Sequence, residues 1–178
     1  MLSKSRRFLA AAAISMLLTV SFAVPGQRRD AGGQSPVSFS LRAINGPTVT
    51  DKSLRGEVVV LVFGASWLPL SRQQLEGVKK FADEYSARGV AVYWVSTDSE
   101  SPKSKNYASD DQLRALSDKY KVTVLRDPNG EATKQFGVDQ IPAIVILDKE
   151  GGIAKVIGGF DPASNLSQLL KEPLSRLL

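Results

Sequence analysis

Phe63-Gly64-Ala65-Ser66-Trp67-Leu68-Pro69-Leu70-Ser71-Arg72 is the stretch on which the reading of this chain turns. It follows the unbroken apolar run Val58-Val59-Val60-Leu61-Val62-Phe63, the pattern of a central strand covered on both faces. After it, Leu75, Val78, Phe81, Ala82 and Tyr85 recur at helical spacing, so Ser71–Arg88 is expected to form a helix burying one stripe. Gly89 suits its C-terminal cap. The decade is therefore a strand-to-helix turn with an apolar, aromatic tip.

Alternation of strand and helix patterns continues outward from this turn. Val37–Leu41 alternates apolar and polar residues, and Asn45-Gly46-Pro47 turns it into a short return strand, Thr48–Thr50. Val90–Ser96 is a second buried strand and Asp98–Ser109 a polar loop. Asp110–Tyr120 is a helix with Leu113 and Leu116 inward. Val122–Leu125 is a short strand, Asp127-Pro128-Asn129-Gly130 a turn, and Glu131–Phe136 a short helix. Ile141–Leu147 and Ile153–Ile157 form a hairpin across Asp148–Gly152. Pro162–Leu178 is expected to close the domain as a helix capped by Asp161 or Ser164, with Pro173 kinking or interrupting it. The sum is an α/β domain with a central mixed sheet, helices on both faces and an N-terminal β-hairpin extension.

The chain has 178 residues, enough for one domain over about residues 37–178. Residues 1–23 read as a signal peptide: Lys4, Arg6 and Arg7 are the basic region, Phe8–Val20 the apolar core, and Ser21-Phe22-Ala23 the cleavage site. Export to a periplasmic or other extracytoplasmic space follows, the alternative being an uncleaved anchor over residues 8–24. With no cysteine after the core, a lipoprotein anchor is excluded. Residues 24–36, rich in Gly, Gln, Arg and Pro, read as a flexible linker. Net charge is +5, of which residues 1–23 supply three; the remaining +2 is too mild to argue for nucleic acid.

Composition closes several reaction classes. The chain contains no cysteine and no histidine, which removes thiol chemistry, Ser-His-Asp and Cys-His triads, and histidine metal sites. No cofactor or metal is expected. Asp98, Glu100, Asp110 and Asp111 lack the spacing and glycine of a calcium loop and are read as solvated loop or helix-start acids. Ser71 is read as the helix N-cap rather than a nucleophile, with Lys79 and Lys80 on the polar side of the helix.

The Phe63–Arg72 turn resembles the redox-active turn of the thioredoxin superfamily, F-x-A-[ST]-W-C-P-x-C-R, with Leu68 and Ser71 at the two sulfur positions. With Gly137-Val138-Asp139-Gln140-Ile141-Pro142 and Leu147-Asp148-Lys149-Glu150-Gly151, it resembles the redoxin branch, which includes exported TlpA-like thiol–disulfide reductases and, more distantly, peroxiredoxins. The 71 positions from Ser71 to Pro142 leave room for that branch's extra strand and helix. The resemblance implies that Pro142 is a cis-proline facing the turn, with Ile141 offering its backbone to an extended peptide by strand addition.

Departures from the family reach beyond the sulfurs. The acid that such reductases place three residues after the second cysteine is Gln74 here, and plain thioredoxin's buried acid is Val62. A peroxidatic site needs a thiolate with a hydroxyl three residues earlier, where this chain has Leu68 and Ala65. The catalytic positions Leu68, Ser71 and Gln74 are therefore degenerate. The expected site is a binding groove of Trp67, Leu68, Pro69, Leu70, Ile141 and Pro142 for a peptide or protein partner in the cell envelope. Whether Leu68 forms an exposed patch with Trp67 or folds inward is left open. An oxidoreductase or antioxidant role by similarity, with non-standard or lost activity, is the alternative.

Overall fold

The computed structural model describes residues 35–161 and 163–178. The expected signal peptide, the membrane-anchor alternative and nearly all of the linker lie outside the described residues.

Seven strands form one sheet in the order β2-β1-β5-β4-β3-β6-β7. They are β1 Ser40–Ala43, β2 Val49–Thr50, β3 Val58–Gly64, β4 Val90–Ser96, β5 Thr123–Arg126, β6 Ala143–Leu147 and β7 Ile153–Gly158. The sheet is mixed: β3, β4 and β5 are parallel, whereas β6 and β1 run antiparallel to their neighbours. The N-terminal hairpin pairs Ser40 with Thr50 and joins the sheet through β5.

The apolar run read as a doubly covered strand is β3, buried along its whole length. Its residues sort by parity, as the two-residue repeat of a strand requires. Val58, Val60 and Val62 enter one core with Leu75, Val78, Phe81, Leu113, Leu166 and Leu170. Val59, Leu61 and Phe63 enter the other with Phe39, Leu54, Ala132 and Phe136. Helices α1 Pro69–Tyr85, α2 Asp110–Tyr120 and α4 Leu166–Ser175 thus cover one face. The short α3 Glu131–Gln135 and the N-terminal segment cover the other.

Three local expectations need correction. Helix α1 begins at Pro69, with Leu68 at the N-cap, so Ser71 is not the cap. Proline at the first helical position has no N–H to leave unpaired, and that sets the start two residues earlier. The helix ends at Tyr85 and passes through a 3-10 turn, Ser86–Arg88, into Gly89, whose φ of 78° closes it. Helix α4 starts at Leu166 behind Asn165, whose side chain accepts a bond from Gln168 N; neither Asp161 nor Ser164 is the cap. It runs through Pro173 and ends two residues later, so the proline sits in the last turn rather than breaking the helix midway.

Candidate functional site

Strand β3 ends at Gly64, beside Ser96 at the end of parallel β4 and one residue beyond the Phe63–Ala143 pair with β6. The turn Ala65–Leu68 therefore leaves the sheet between the loop after β4 and the segment before β6. Within it the Leu68 N–H donates to Ala65 O (3.1 Å), and Leu68 O receives Ser71 N (3.1 Å) and Arg72 N (3.3 Å) as α1 begins.

The apolar tip is outward. Trp67 is 53% exposed and Leu70 50%, Pro69 is exposed, and Leu68 is half-buried between them. The question left open for Leu68 thus resolves between its two alternatives, with Trp67 and Leu70 supplying most of the apolar surface. On the β6 side the Ile141–Pro142 peptide is cis. Pro142 is buried, with its carbonyl bonded by Gly159 N (3.1 Å), and Ile141 is half-buried against the second core. Neither the N–H nor the C=O of Ile141 has a backbone partner among the described residues.

Beneath the tip the two other degenerate positions are interior. Ser71 and Gln74 are fully buried. Ser71 Oγ accepts the Ala65 N–H (3.2 Å), tying the first turn of α1 back to the loop. A Cβ on Gly64 would stand 2.8 Å from Ser71 Oγ and 3.0 Å from Trp94 Nε1, so strand, helix and indole meet where only glycine fits. Both amide atoms of Gln74 and the Trp94 Nε1 lack hydrogen-bond partners among the described residues. Burying unpaired polar atoms costs about 1–3 kcal/mol each. Gln74→Leu, similar in size, is accordingly expected to raise the unfolding free energy by about 1 kcal/mol or more. Urea denaturation measures it; a loss of stability would show that the amide has polar partners.

Sequence reasoning missed the device that holds the turn. Asp98, expected to be solvated, is fully buried. Its carboxylate accepts Ser66 N (2.8 and 3.1 Å), Ser66 Oγ (3.0 Å) and Ser96 Oγ (2.7 Å). Thr97 N adds a bond to Gly64 O (2.9 Å). The remaining acids of the loop are also engaged. Glu100 and Asp110 are shared between Arg42, at 2.7 and 2.9 Å, and the buried Arg126, at 3.3 and 2.7 Å. The Arg42 hydrogen bond, aided by Arg126 and opposed by desolvation, pulls the Asp110 carboxyl down to about 2. Its two acid partners in turn push Arg42 above the usual guanidinium range. Asp111 pairs with Arg114 at 2.6 Å. Asp127 receives Ala132 N, Thr133 N and Thr133 Oγ1, so the expected turn also anchors α3. Ser109, read as the end of a loop, caps α2 reciprocally with Gln112.

This sheet order, with an aromatic turn opening α1 opposite a cis X-Pro peptide, defines a thioredoxin-like protein of the redoxin branch. The chain belongs to the AhpC/TSA family, whose sequence pattern matches residues 32–156. Among relatives it is 22% identical to the thiol–disulfide oxidoreductase ResA of Bacillus thuringiensis subsp. konkukian (strain 97-27), across 90% of this chain and 88% of that one. Of solved structures, a thiol:disulfide interchange protein DsbE from Chlorobium tepidum superposes with a TM-score of 0.66 at 25% identity. That match covers 83% of this chain and 97% of the other. The pneumococcal exposed lipoprotein thioredoxin Etrx1 of Streptococcus pneumoniae strain TIGR4 gives 0.61 at 30% identity, covering 76% and 98%. The similarity is to thiol–disulfide oxidoreductases, on a chain that holds no sulfur nucleophile.

Proposed function

We propose that this protein is an exported binding module that engages an extended peptide segment at Trp67, Leu68, Pro69, Leu70, Ile141 and Pro142 and transfers no electrons. The observation that carries the reading is the combination of exposed Trp67 and Leu70 with an Ile141 backbone that has no hydrogen-bond partner among the described residues. An extended chain laid along Ile141 gains main-chain hydrogen bonds while its side chains meet the indole and leucine surface. Disulfide exchange needs a thiolate to attack and a second thiol to resolve, and this chain has neither. The N-terminal sequence supports export, as does likeness to a pneumococcal protein described as exposed.

The relatives' oxidoreductase names favour a second reading, a redox or antioxidant activity without thiols. Insulin disulfide reduction driven by dithiothreitol separates the two. The expected rate equals that of the protein-free blank, and turnover clearly above it would overturn the first reading. Trp67→Ala with Leu70→Ala is expected to weaken peptide binding by about tenfold or more, since buried aromatic anchors carry most interface energy. Unchanged binding would mean that Trp67 and Leu70 do not form the peptide surface and would overturn the groove assignment.

A further inference from the structure

Strands β3 and β4 are parallel and end together, so the Ala65–Leu68 turn and the 97–109 loop rise from the same edge of the sheet. The Asp98–Ser66 and Thr97–Gly64 bonds stitch them side by side. On the opposite flank of the turn stands the segment leading to Pro142, because β6 pairs with β3 from the other side. The exposed apolar tip thus lies between two loops whose charges differ.

On the β4 side every acid is hidden or spent. Asp98 is buried beneath the turn, and Glu100 and Asp110 are held by Arg42 and Arg126. Lys103 and Lys105 are exposed on that loop, and no carboxylate lies within ion-pair distance of either among the described residues. The same holds for Arg72, whose Nε donates to Ser66 O (2.7 Å) and so fixes the guanidinium beside the turn with its Nη atoms uncommitted. The first turn of α1 contains no acid to offset them. On the β6 side, between Phe136 and Pro142, the charged residue is the exposed Asp139.

We infer that the segment taken up at this groove is acidic: an apolar side chain seats on Trp67 and Leu70, and carboxylates beside it face Arg72, Lys103 and Lys105. The inference rests on the groove reading above and adds the partner's charge and its direction. Asp139 repels carboxylates on the cis-proline flank, so the acidic part lies toward the 97–109 loop. Cations at a groove's rim act chiefly on encounter rate and partner choice, and salt screens them within about 8 Å at physiological ionic strength.

The test uses the purified full chain and three heptapeptides with blocked ends, a neutral fluorophore and a common Val-Phe-Val centre. Their flanking pairs are Glu, Gln or Lys, and binding is read by fluorescence anisotropy. The Glu peptide is expected to bind about tenfold tighter than the Gln peptide at 50 mM salt, as three exposed pairs of modest strength allow, and the gap to shrink several-fold at 500 mM. Lys103→Gln with Lys105→Gln, neither of which bonds the turn, should narrow the gap several-fold and leave affinity for the Gln peptide unchanged. Equal affinity for the Glu and Gln peptides, or preference for Lys, overturns the acidic partner while the groove stands. Failure of all three peptides to bind overturns both.

Discussion

Asp98→Ala is expected to lower the unfolding free energy by about 3 kcal/mol or more and the melting temperature by about 10 °C. The carboxylate gathers Ser66 N, Ser66 Oγ and Ser96 Oγ in a fully buried position. Truncation strands at least the Ser66 amide and the buried Ser96 hydroxyl and opens a small void. Asn at this position keeps one acceptor and the size, so Asp98→Asn should lose about half as much. Calorimetry on both variants checks the order. If Ala and Asn both melt within a degree of the parent, Asp98 does not hold the turn. Because Ser66 adjoins Trp67, the same variants are expected to bind peptide more weakly, with loss of affinity tracking loss of the clamp.

The second large effect is a gain. Leu68→Cys with Ser71→Cys is expected to give a reducible disulfide and to lift dithiothreitol-driven insulin reduction from the blank to a measurable rate. Residues 68 and 71 stand one helical turn apart and already share the Ser71 N to Leu68 O bond, so the pair meets without rearranging the backbone. The half-buried first position suits attack on a partner, and the buried second position suits resolution. Thiol titration before and after oxidation and a two-dalton mass change would register the bond. A double variant that stays fully reduced in air-saturated buffer with an oxidant would mean the first turn of α1 is too far displaced for sulfur chemistry. Adding Gln74→Glu to the pair is expected to raise turnover further while lowering stability, since it buries a charge.

What was legible in the sequence was whatever depends on neighbours in the chain. The unbroken apolar run Val58–Phe63 pointed to a strand covered on both faces, and the structure divides those residues by parity between the two cores. Helix α2 and strand β4 begin and end as expected because caps and apolar period coincide there. What escaped depends on partners far along the chain. Asp98 is a loop acid by local pattern, and Ser66, 32 positions earlier, is what makes it structural. Arg126, on which the local pattern was silent, gathers Asp110 and the Ala108 carbonyl into one buried knot. Two errors were avoidable: Pro69 signals the start of α1 ahead of Ser71, and the four-residue spacing of Leu166, Leu170 and Leu174 phases α4 from Asn165. Of the candidate site, the strand-to-helix turn and the cis peptide before Pro142 were legible in the sequence, but the Asp98 clamp beneath the turn needed coordinates.

The bare backbone at Gly64 decides what the buried side of this turn can hold. Sulfur is larger than oxygen and sits farther from its carbon, so a thiol at position 71 would press first on whatever the strand presents there. The strand presents nothing, and the hydroxyl now rests against that gap. Any bulkier residue at 64 would shut sulfur out of the interior regardless of what the helix carried. Room for a sulfur atom is thus kept in the sheet, one layer below the positions where this chain carries leucine and serine.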